Sequence, residues 1–211
     1  MAASPWLERA RTAVGTGTLY WAGAGGLDPH AAHPASPLLL LNPQHVNGAM
    51  LFADALEVAP PLRLDRPIDY TRAAFRIASC DCSGFVCWVL GFARTTTEAP
   101  WSLNGETAWI NTDAMWNDAG PHGAHARFEP LDAPLVGCLA VYPKPEDPAE
   151  PFGHVAFVSA LDAQGKPARF IHCSGDNYRQ HLDAILENYT DAFELHARTR
   201  YVWPAGTPRV G

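Results

Sequence analysis

Three of the five cysteines lie within the stretch CDCSGFVCWVLGF, at residues 80–92. Cysteines this close together could form a disulfide, bind a metal ion or supply one reactive thiol. A bridge between Cys80 and Cys82 would need a strained, tight loop. The spacing to Cys87 is not that of the paired ligands of structural zinc sites, and no second cysteine pair follows. We therefore expect no metal and no cofactor, and one reactive thiol.

Cys82 is the cysteine whose position suits chemistry. Phe85, Val89 and Phe92 recur at helical spacing, which predicts a buried helix over 83–93 that starts directly after Cys82. A sulfur atom at the first turn of a helix lies near unpaired N–H groups and the positive end of the helix dipole, which favour thiolate. Gly84 would leave room for a substrate to approach. We interpret the remaining cysteines as buried, inert thiols: Cys80, Cys87, Cys138 and Cys173.

A thiol nucleophile needs a base within hydrogen-bond reach and a group that orients the base. Of the nine histidines, five lie in loops rich in Gly, Pro and Ala: His30, His33, His45, His122 and His125. Two others lie on predicted strands. His154 opens HVAFVSA, and His172 lies in RFIHCS on the face of Phe170. Each alone would more readily be a core or edge histidine, but two neighbouring rings beside Cys82 favour catalysis.

The elements that must position these residues follow from hydrophobic periodicity. A first helix is predicted from Pro5 to Gly15 or Gly17, and further helices near 107–117 and 181–189. Strands are predicted at 136–143, 153–160, 168–174 and 198–204, with a hairpin connection at DAQGK, residues 162–166. Helices first and an antiparallel sheet afterwards indicate an α+β fold. We expect one domain over 1–211, with a long surface excursion and a short helix at about 49–56 within it.

Charge and composition exclude several classes of partner. The formal net charge of -7 and the absence of any run among 15 basic residues argue against nucleic acid. The longest aliphatic run, Leu38 to Leu41, is too short to span a membrane. The first residues lack the pattern of a secretory signal, so the chain as written is expected to be cytoplasmic, or delivered by a dedicated secretion system.

Several sequence blocks together resemble a known family. In chain order they are TLYWAGAGG (18–26), DCSGFV (81–86), ARTT (93–96), PLVGCLAVY (134–142), GHVAFV (153–158) and IHCS (171–174). The pattern is similar to the NlpC-type cell-wall cysteine peptidases, a compact papain-like group related to the CHAP amidases and endopeptidases. The resemblance implies a papain-like fold in which the nucleophile helix packs on the antiparallel sheet.

The resemblance also implies site residues. Cys82 would be the nucleophile, His154 the general base and His172 the residue that orients His154. Tyr20 would correspond to the family's tyrosine near the nucleophile, and Asp81 and Ser83 would flank the substrate. The residues themselves leave simpler interpretations open: Tyr20 as a core aromatic, Asp81 as a helix cap and Ser83 as a first-turn residue. The chain departs from the family in an insertion at about 27–79 and in Cys138, where an acidic residue is usual.

The expected reaction is hydrolysis of an amide bond in a peptidoglycan stem peptide through a thioester. Its partner would be a wall-derived peptide, and an immunity protein as well if the chain is a secreted effector. Two alternatives stay open at this point. One is a thiol acyltransferase or deamidase that acts on a different substrate, and the other is a catalytically silent binding module in which the insertion covers Cys82.

Overall fold

The computed structural model describes residues 4–20, 25, 79–97, 108–147, 152–181, 183–189, 191, 193 and 196–209. Every structural statement below concerns these residues. The predicted helix at about 49–56, and the predicted insertion apart from its last residue, lie outside them.

The described residues form four helices and ten strands. The helices are α1 (Pro5–Thr12), α2 (Cys82–Leu90), α3 (Thr112–Asp118) and α4 (Gly175–His181). The strands are β1 (Leu19–Tyr20), β2 (Ser79–Cys80), β3 (Thr95–Thr96), β4 (Ala108–Trp109), β5 (Phe128–Leu131), β6 (Leu139–Tyr142), β7 (His154–Leu161), β8 (Pro167–Cys173), β9 (Ile185–Asn188) and β10 (Arg200–Pro204).

Six of the strands form one antiparallel sheet in the order β5-β10-β6-β7-β8-β9. The predicted hairpin is present, since the N–H of Asp162 donates to the carbonyl of Lys166 where β7 turns into β8. Phe157 is paired with Ile171, and Val158 with Phe170. The predicted α+β class is therefore confirmed, and so is the adjacency of the two strands that carry His154 and His172.

The sheet is buried on both faces. Because successive side chains of a strand point to opposite sides, each central strand contributes residues to two hydrophobic clusters. On β7, Val155 and Phe157 belong to the main core, which they form with α1 and α2. Ala156 and Val158 belong to a second cluster on the other face, together with Phe193. Helix α2 is buried along nearly its whole length, which explains why its sequence is apolar on every side.

The prediction of a helix over 181–189 is wrong. In the structure α4 ends at His181, and Ile185–Asn188 form β9, which pairs with β8. The spacing of apolar residues in LDAILENY fits a helix, but Asp183 ends that possibility locally: its carboxylate accepts hydrogen bonds from the N–H groups of Gly17 and Ile185. The edge of the sheet then binds the segment in extended form.

Two smaller differences occur near α3. The predicted helix at 107–117 begins later, at Thr112, because Asn111 caps it through the N–H of Ala114 and Ala108–Trp109 are extended. Strand β5 was not predicted, since Pro130 interrupts its β-forming pattern. Proline is compatible with this position because β5 is an edge strand of the sheet.

Candidate active site

The N-terminus of α2 is fixed by Asp81, which is the N-cap. One carboxylate oxygen, Oδ1, accepts hydrogen bonds from the N–H of Gly84 at 2.6 Å and from the hydroxyl of Ser83 at 3.2 Å. The other oxygen, Oδ2, lies 2.6 Å from Arg94 in a buried ion pair. Asp81 and Ser83 are both buried, so the structure shows the capping role for Asp81, and contact of either residue with substrate stays a prediction.

Arg94 is a site residue that sequence reasoning did not single out. Its side chain is buried, and it pairs with Asp81 across the start of α2. Two of its nitrogens, Nε and Nη1, are buried without a hydrogen-bond partner, so Asp81 is the main compensation for its charge. The only sequence signal was its place in the block ARTT (93–96) of the resemblance, which gave it no role.

Cys82 is 7% exposed at the first position of α2. The pKa of its thiol is raised to about 12, first by burial and then by the charge of Asp81, although Arg94 and the backbone hydrogen bonds of Ser83 and Val155 oppose the shift. The expectation that the helix start favours thiolate is therefore wrong for the resting site, because desolvation outweighs the helix-end N–H groups. The resting group is a thiol, and it needs a base.

His154, the base predicted from the sequence, precedes in the chain the residue whose backbone the Cys82 sulfur contacts. Helix α2 packs on β7, and the Cys82 sulfur is hydrogen-bonded to the backbone of Val155, the neighbour of His154. Nε2 of His154 lies 2.7 Å from Nδ1 of His172, and the two rings meet edge to face with centroids 5.0 Å apart. The structure thus puts His154 and His172 in contact, and it places Cys82 against the backbone of the residue that follows His154. The catalytic roles of the three residues stay predictions.

Both imidazoles are neutral at pH 7. The pKa of His154 is lowered well below its usual 6.5, first by burial and then by the charge of His172. Burial lowers the pKa of His172 to about 4, although its hydrogen bond to Asn188 and the charge of Asp176 oppose the shift. A neutral imidazole can accept a proton, so His154 is in the form that a base requires.

Three further residues support the histidines and were not predicted. Oδ1 of Asn188 lies 2.8 Å from Nε2 of His172, and Nδ2 of Asn188 donates to Oδ1 of Asn177 at 2.9 Å. The ring of Phe193 stacks on His154 with a centroid distance of 5.4 Å. Asn188 was missed because its strand was predicted to be helical. Phe193 and Asn177 carry no sequence signal that separates them from other core and loop residues.

A cavity of about 430 Å³ opens beside the two imidazoles. Its walls include Tyr20, Tyr142, His154, His172 and Asn188, and Phe152 lies at its edge with 72% of its surface exposed. The pKa of the Tyr20 phenol is raised by burial and then by the charge of Cys82. Tyr20 therefore lies close to both Cys82 and the cavity. Its contact with substrate, which the resemblance implies, stays a prediction.

The space beside Gly84 is filled by the protein itself. Gly25 has a φ of +102°, and a Cβ on it would come within 2.8 Å of the Gly84 backbone and 2.9 Å of the Cys80 Cβ. Glycine is required here for both its conformation and its lack of a side chain. In the described structure, Gly84 thus allows close packing of Gly25, where the sequence had suggested room for a substrate.

A buried thiol pair flanks the site. The Cys80 and Cys173 sulfur atoms lie 3.3 Å apart, and both residues are fully buried. All five cysteines are free and buried, so the predicted burial of the other four is confirmed, and their inertness stays a prediction. Burial also raises the pKa of the Cys138 thiol, to about 12.

The described residues contain neither a membrane-spanning helix nor a metal-binding cluster. None of their helices has the length and apolar character needed to cross a membrane. Nor do they contain a cluster of three or more His, Cys, Asp or Glu side chains arranged to hold a metal ion.

Comparison with known proteins gives one family match. The CHAP domain family model matches residues 73–177, about half of the chain, and the matched segment contains Cys82, His154 and His172. Tyr20 and Asn188 lie outside it. Neither the curated proteins nor the solved structures gave a significant match, so the papain-like fold stays a prediction. Through residues 73–177 the chain belongs to the CHAP domain family, whose members are typically hydrolases that act on peptidoglycan.

Proposed function

We propose that the chain is a cysteine amidase or endopeptidase that hydrolyses an amide bond in peptidoglycan stem peptides through a thioester intermediate. The observation that carries the proposal is the hydrogen bond between His154 and His172, on strands beside the buried start of the helix that begins with Cys82. The family match supports peptidoglycan as the class of substrate.

The chemistry begins with two neutral groups. The Cys82 thiol transfers its proton to His154 as the sulfur attacks the amide carbonyl, and His172 stabilises the imidazolium that forms. At the first turn of α2, the N–H of Gly84 is bonded to the Asp81 side chain and that of Phe85 to the Asp81 carbonyl. The N–H of Ser83 is hydrogen-bonded to the Cys82 sulfur, so the N–H of Cys82 is the helix-start donor that we assign to the oxyanion.

The proton that His154 takes from Cys82 is then used to release the amine product. The His154 imidazolium protonates the leaving amine, which leaves the acyl group on the Cys82 sulfur as a thioester. His154, again neutral, then takes a proton from water as the water oxygen attacks the thioester carbonyl. The carbon–sulfur bond breaks, the acyl group leaves as a carboxylic acid, and His154 returns its proton to the Cys82 sulfur. The cavity beside the histidines and the exposed ring of Phe152 offer a binding surface for the peptide.

The test is incubation of purified peptidoglycan fragments with the protein, followed by mass spectrometry of the products. Wild-type protein should release one free amine and one free carboxylate at a single peptide bond, and Cys82→Ala should release neither. Cys138→Ala is the matched control, because it removes a buried thiol that belongs to the second cluster, on the face of the sheet opposite to that of Cys82. Cleavage that persists in Cys82→Ala would contradict the proposal.

The same experiment separates the acyltransferase alternative. A transferase resolves the thioester with an amine or alcohol, so its product carries the acyl group on a new acceptor and no free carboxylate appears. Products should therefore be compared with and without added amines of the kind present in wall peptides.

A further inference from the structure

Two asparagines lie behind the histidine pair and form an unbroken chain of hydrogen bonds with it. The chain runs from His154 to His172 at 2.7 Å, from His172 to Asn188 at 2.8 Å and from Asn188 to Asn177 at 2.9 Å. It ends at two backbone carbonyls, since Nδ2 of Asn177 lies 3.4 Å from the His172 oxygen and 3.3 Å from the Ala184 oxygen.

The two carbonyls decide the direction of the whole chain. A carbonyl oxygen can only accept, so the group of Asn177 that faces them must be its NH₂, and its Oδ1 must face Asn188. Two oxygens facing each other at that distance would repel, so Asn188 presents its own NH₂ to Asn177. Its Oδ1 is then the atom that faces His172.

The same reasoning continues into the rings. Because Oδ1 of Asn188 only accepts, Nε2 of His172 must carry a hydrogen, and Nδ1 of the neutral ring carries the lone pair. That lone pair requires a hydrogen on Nε2 of His154. The neutral His154 ring then has no hydrogen on Nδ1, which is the nitrogen left to accept a proton.

We propose that Asn188 and Asn177 are positioning residues that hold His172 and His154 in these tautomers, so that Nδ1 of His154 is the proton acceptor for the Cys82 thiol. Both asparagines line the cavity, and their hydrogen bonds link them to the catalytic pair through His172. The proposal rests on the proposed function for Cys82 as the proton donor and for its activity readout.

The same hydrogen bonds can form when His154 is protonated, and no side chain in the chain of hydrogen bonds has to move. When His154 gains its proton on Nδ1, its Nε2–H still donates to His172, and His172 still donates to Asn188. No amide must rotate during the reaction, because Asn177 is held by backbone carbonyls on neighbouring segments. A preorganised network of this kind lowers the reorganisation needed in the transition state.

The test uses ¹⁵N-histidine-labelled full-length protein and long-range ¹H–¹⁵N spectra, which distinguish protonated from unprotonated ring nitrogens. Signals are assigned with His154→Gln and His172→Gln. Wild type at pH 7 should show both rings protonated on Nε2 and unprotonated on Nδ1. A proton on Nδ1 of His154 would overturn the proposal.

Asn188→Leu removes the acceptor for His172 at nearly constant volume. We expect mixed tautomers in both rings and a loss of kcat of about 10- to 100-fold, which is less than the roughly 100- to 10,000-fold that general acid–base catalysis contributes because His154 itself remains. Glu187→Gln, on the same strand, is the control and should leave the spectra and kcat unchanged. Tautomers and kcat that stay as in wild type in folded Asn188→Leu would overturn the proposal.

Asn188→Asp gives a readout that a merely structural role would not produce. Its carboxylate still accepts from Nε2 of His172, so the wild-type tautomers should be retained, but its charge raises the pKa of His172. The acid limb of kcat/KM should therefore move to higher pH. An unchanged limb would contradict the proposal, as would mixed tautomers in this variant.

Failure of the proposed function gives a different result. If wild-type protein does not cleave wall peptides, the activity readout is lost, while the tautomers of wild type, Asn188→Leu and Asn188→Asp still decide the role of the asparagines.

Discussion

At the scale of single residues, the candidate site consists of a neutral thiol at the start of α2 and a neutral imidazole pair on β7 and β8. Desolvation sets both states, because burial raises the pKa of Cys82 and lowers the pKa values of His154 and His172. The residue types were predictable from the sequence, since cysteine and histidine in this order fit a thiol hydrolase. The protonation states were not, because burial depends on elements far away in the chain.

The lowered histidine pKa values predict the acid limb of the pH profile. His154 must be neutral to accept the thiol proton, and its pKa lies well below 6.5. As pH falls, kcat/KM should therefore hold its neutral value through pH 6.5 and decline only below it. The measurement is the pH dependence of kcat/KM on a wall peptide. An acid limb centred at 6.5 or above would mean that the base is a solvated histidine.

At the scale of elements, strand β7 and helix α2 do most of the positioning. Strand β7 and its hairpin to β8 were predictable, because HVAFVSA and ARFIHCS are short runs with β-branched and aromatic residues and DAQGK is a turn between them. Strand β9 was not predictable, since its apolar spacing fits a helix and only pairing with β8 makes it extended. Asn188, which lies on this strand, was therefore not predicted as a positioning residue.

The start of α2 depends on the buried ion pair of Asp81 and Arg94, and this gives a thermodynamic prediction. Arg94→Met leaves the Asp81 carboxylate buried beside an apolar side chain, so the free energy of unfolding should fall by about 3 to 5 kcal/mol. Adding Asp81→Asn should recover part of the loss, because the amide removes the charge and keeps an oxygen for the N–H of Gly84. Chemical denaturation of both variants measures this.

Two outcomes would count against that account of α2. One is a loss of less than about 1 kcal/mol in Arg94→Met, which is the range of an exposed pair. The other is an additive effect in the double variant, which would show that the two side chains do not interact.

At the scale of the whole molecule, the sheet has a core on each face, and the two histidines share a face with Phe193. The α+β class was predictable from the order of helical and alternating patterns along the chain. The sheet order was not, because the pairing of β10 between β5 and β6 joins segments about 60 to 75 residues apart and leaves no local signal.

The buried histidines make the stability of the molecule depend on pH. Above pH 6.5 they are neutral in both folded and unfolded chains and contribute no pH dependence. Between pH 6.5 and about 4 the unfolded chain binds protons that folded His172 does not, so the free energy of unfolding should fall by about 3 kcal/mol from His172 alone. Denaturation at several pH values measures the slope, and a His172→Gln variant should reduce it. The same slope in that variant would contradict the assignment.

The central claim is that Cys82 forms a thioester with the acyl half of a wall peptide, and hydroxylamine tests it most directly. During turnover by wild-type protein, hydroxylamine should intercept the thioester and convert part of the acid product into the corresponding hydroxamate, identified by its mass. The ratio of hydroxamate to acid should rise linearly with hydroxylamine, and Cys82→Ala should form neither product. If the protein cleaves the peptide but yields only acid at every hydroxylamine concentration at which it stays active, water attacks the amide directly and the thioester account is contradicted.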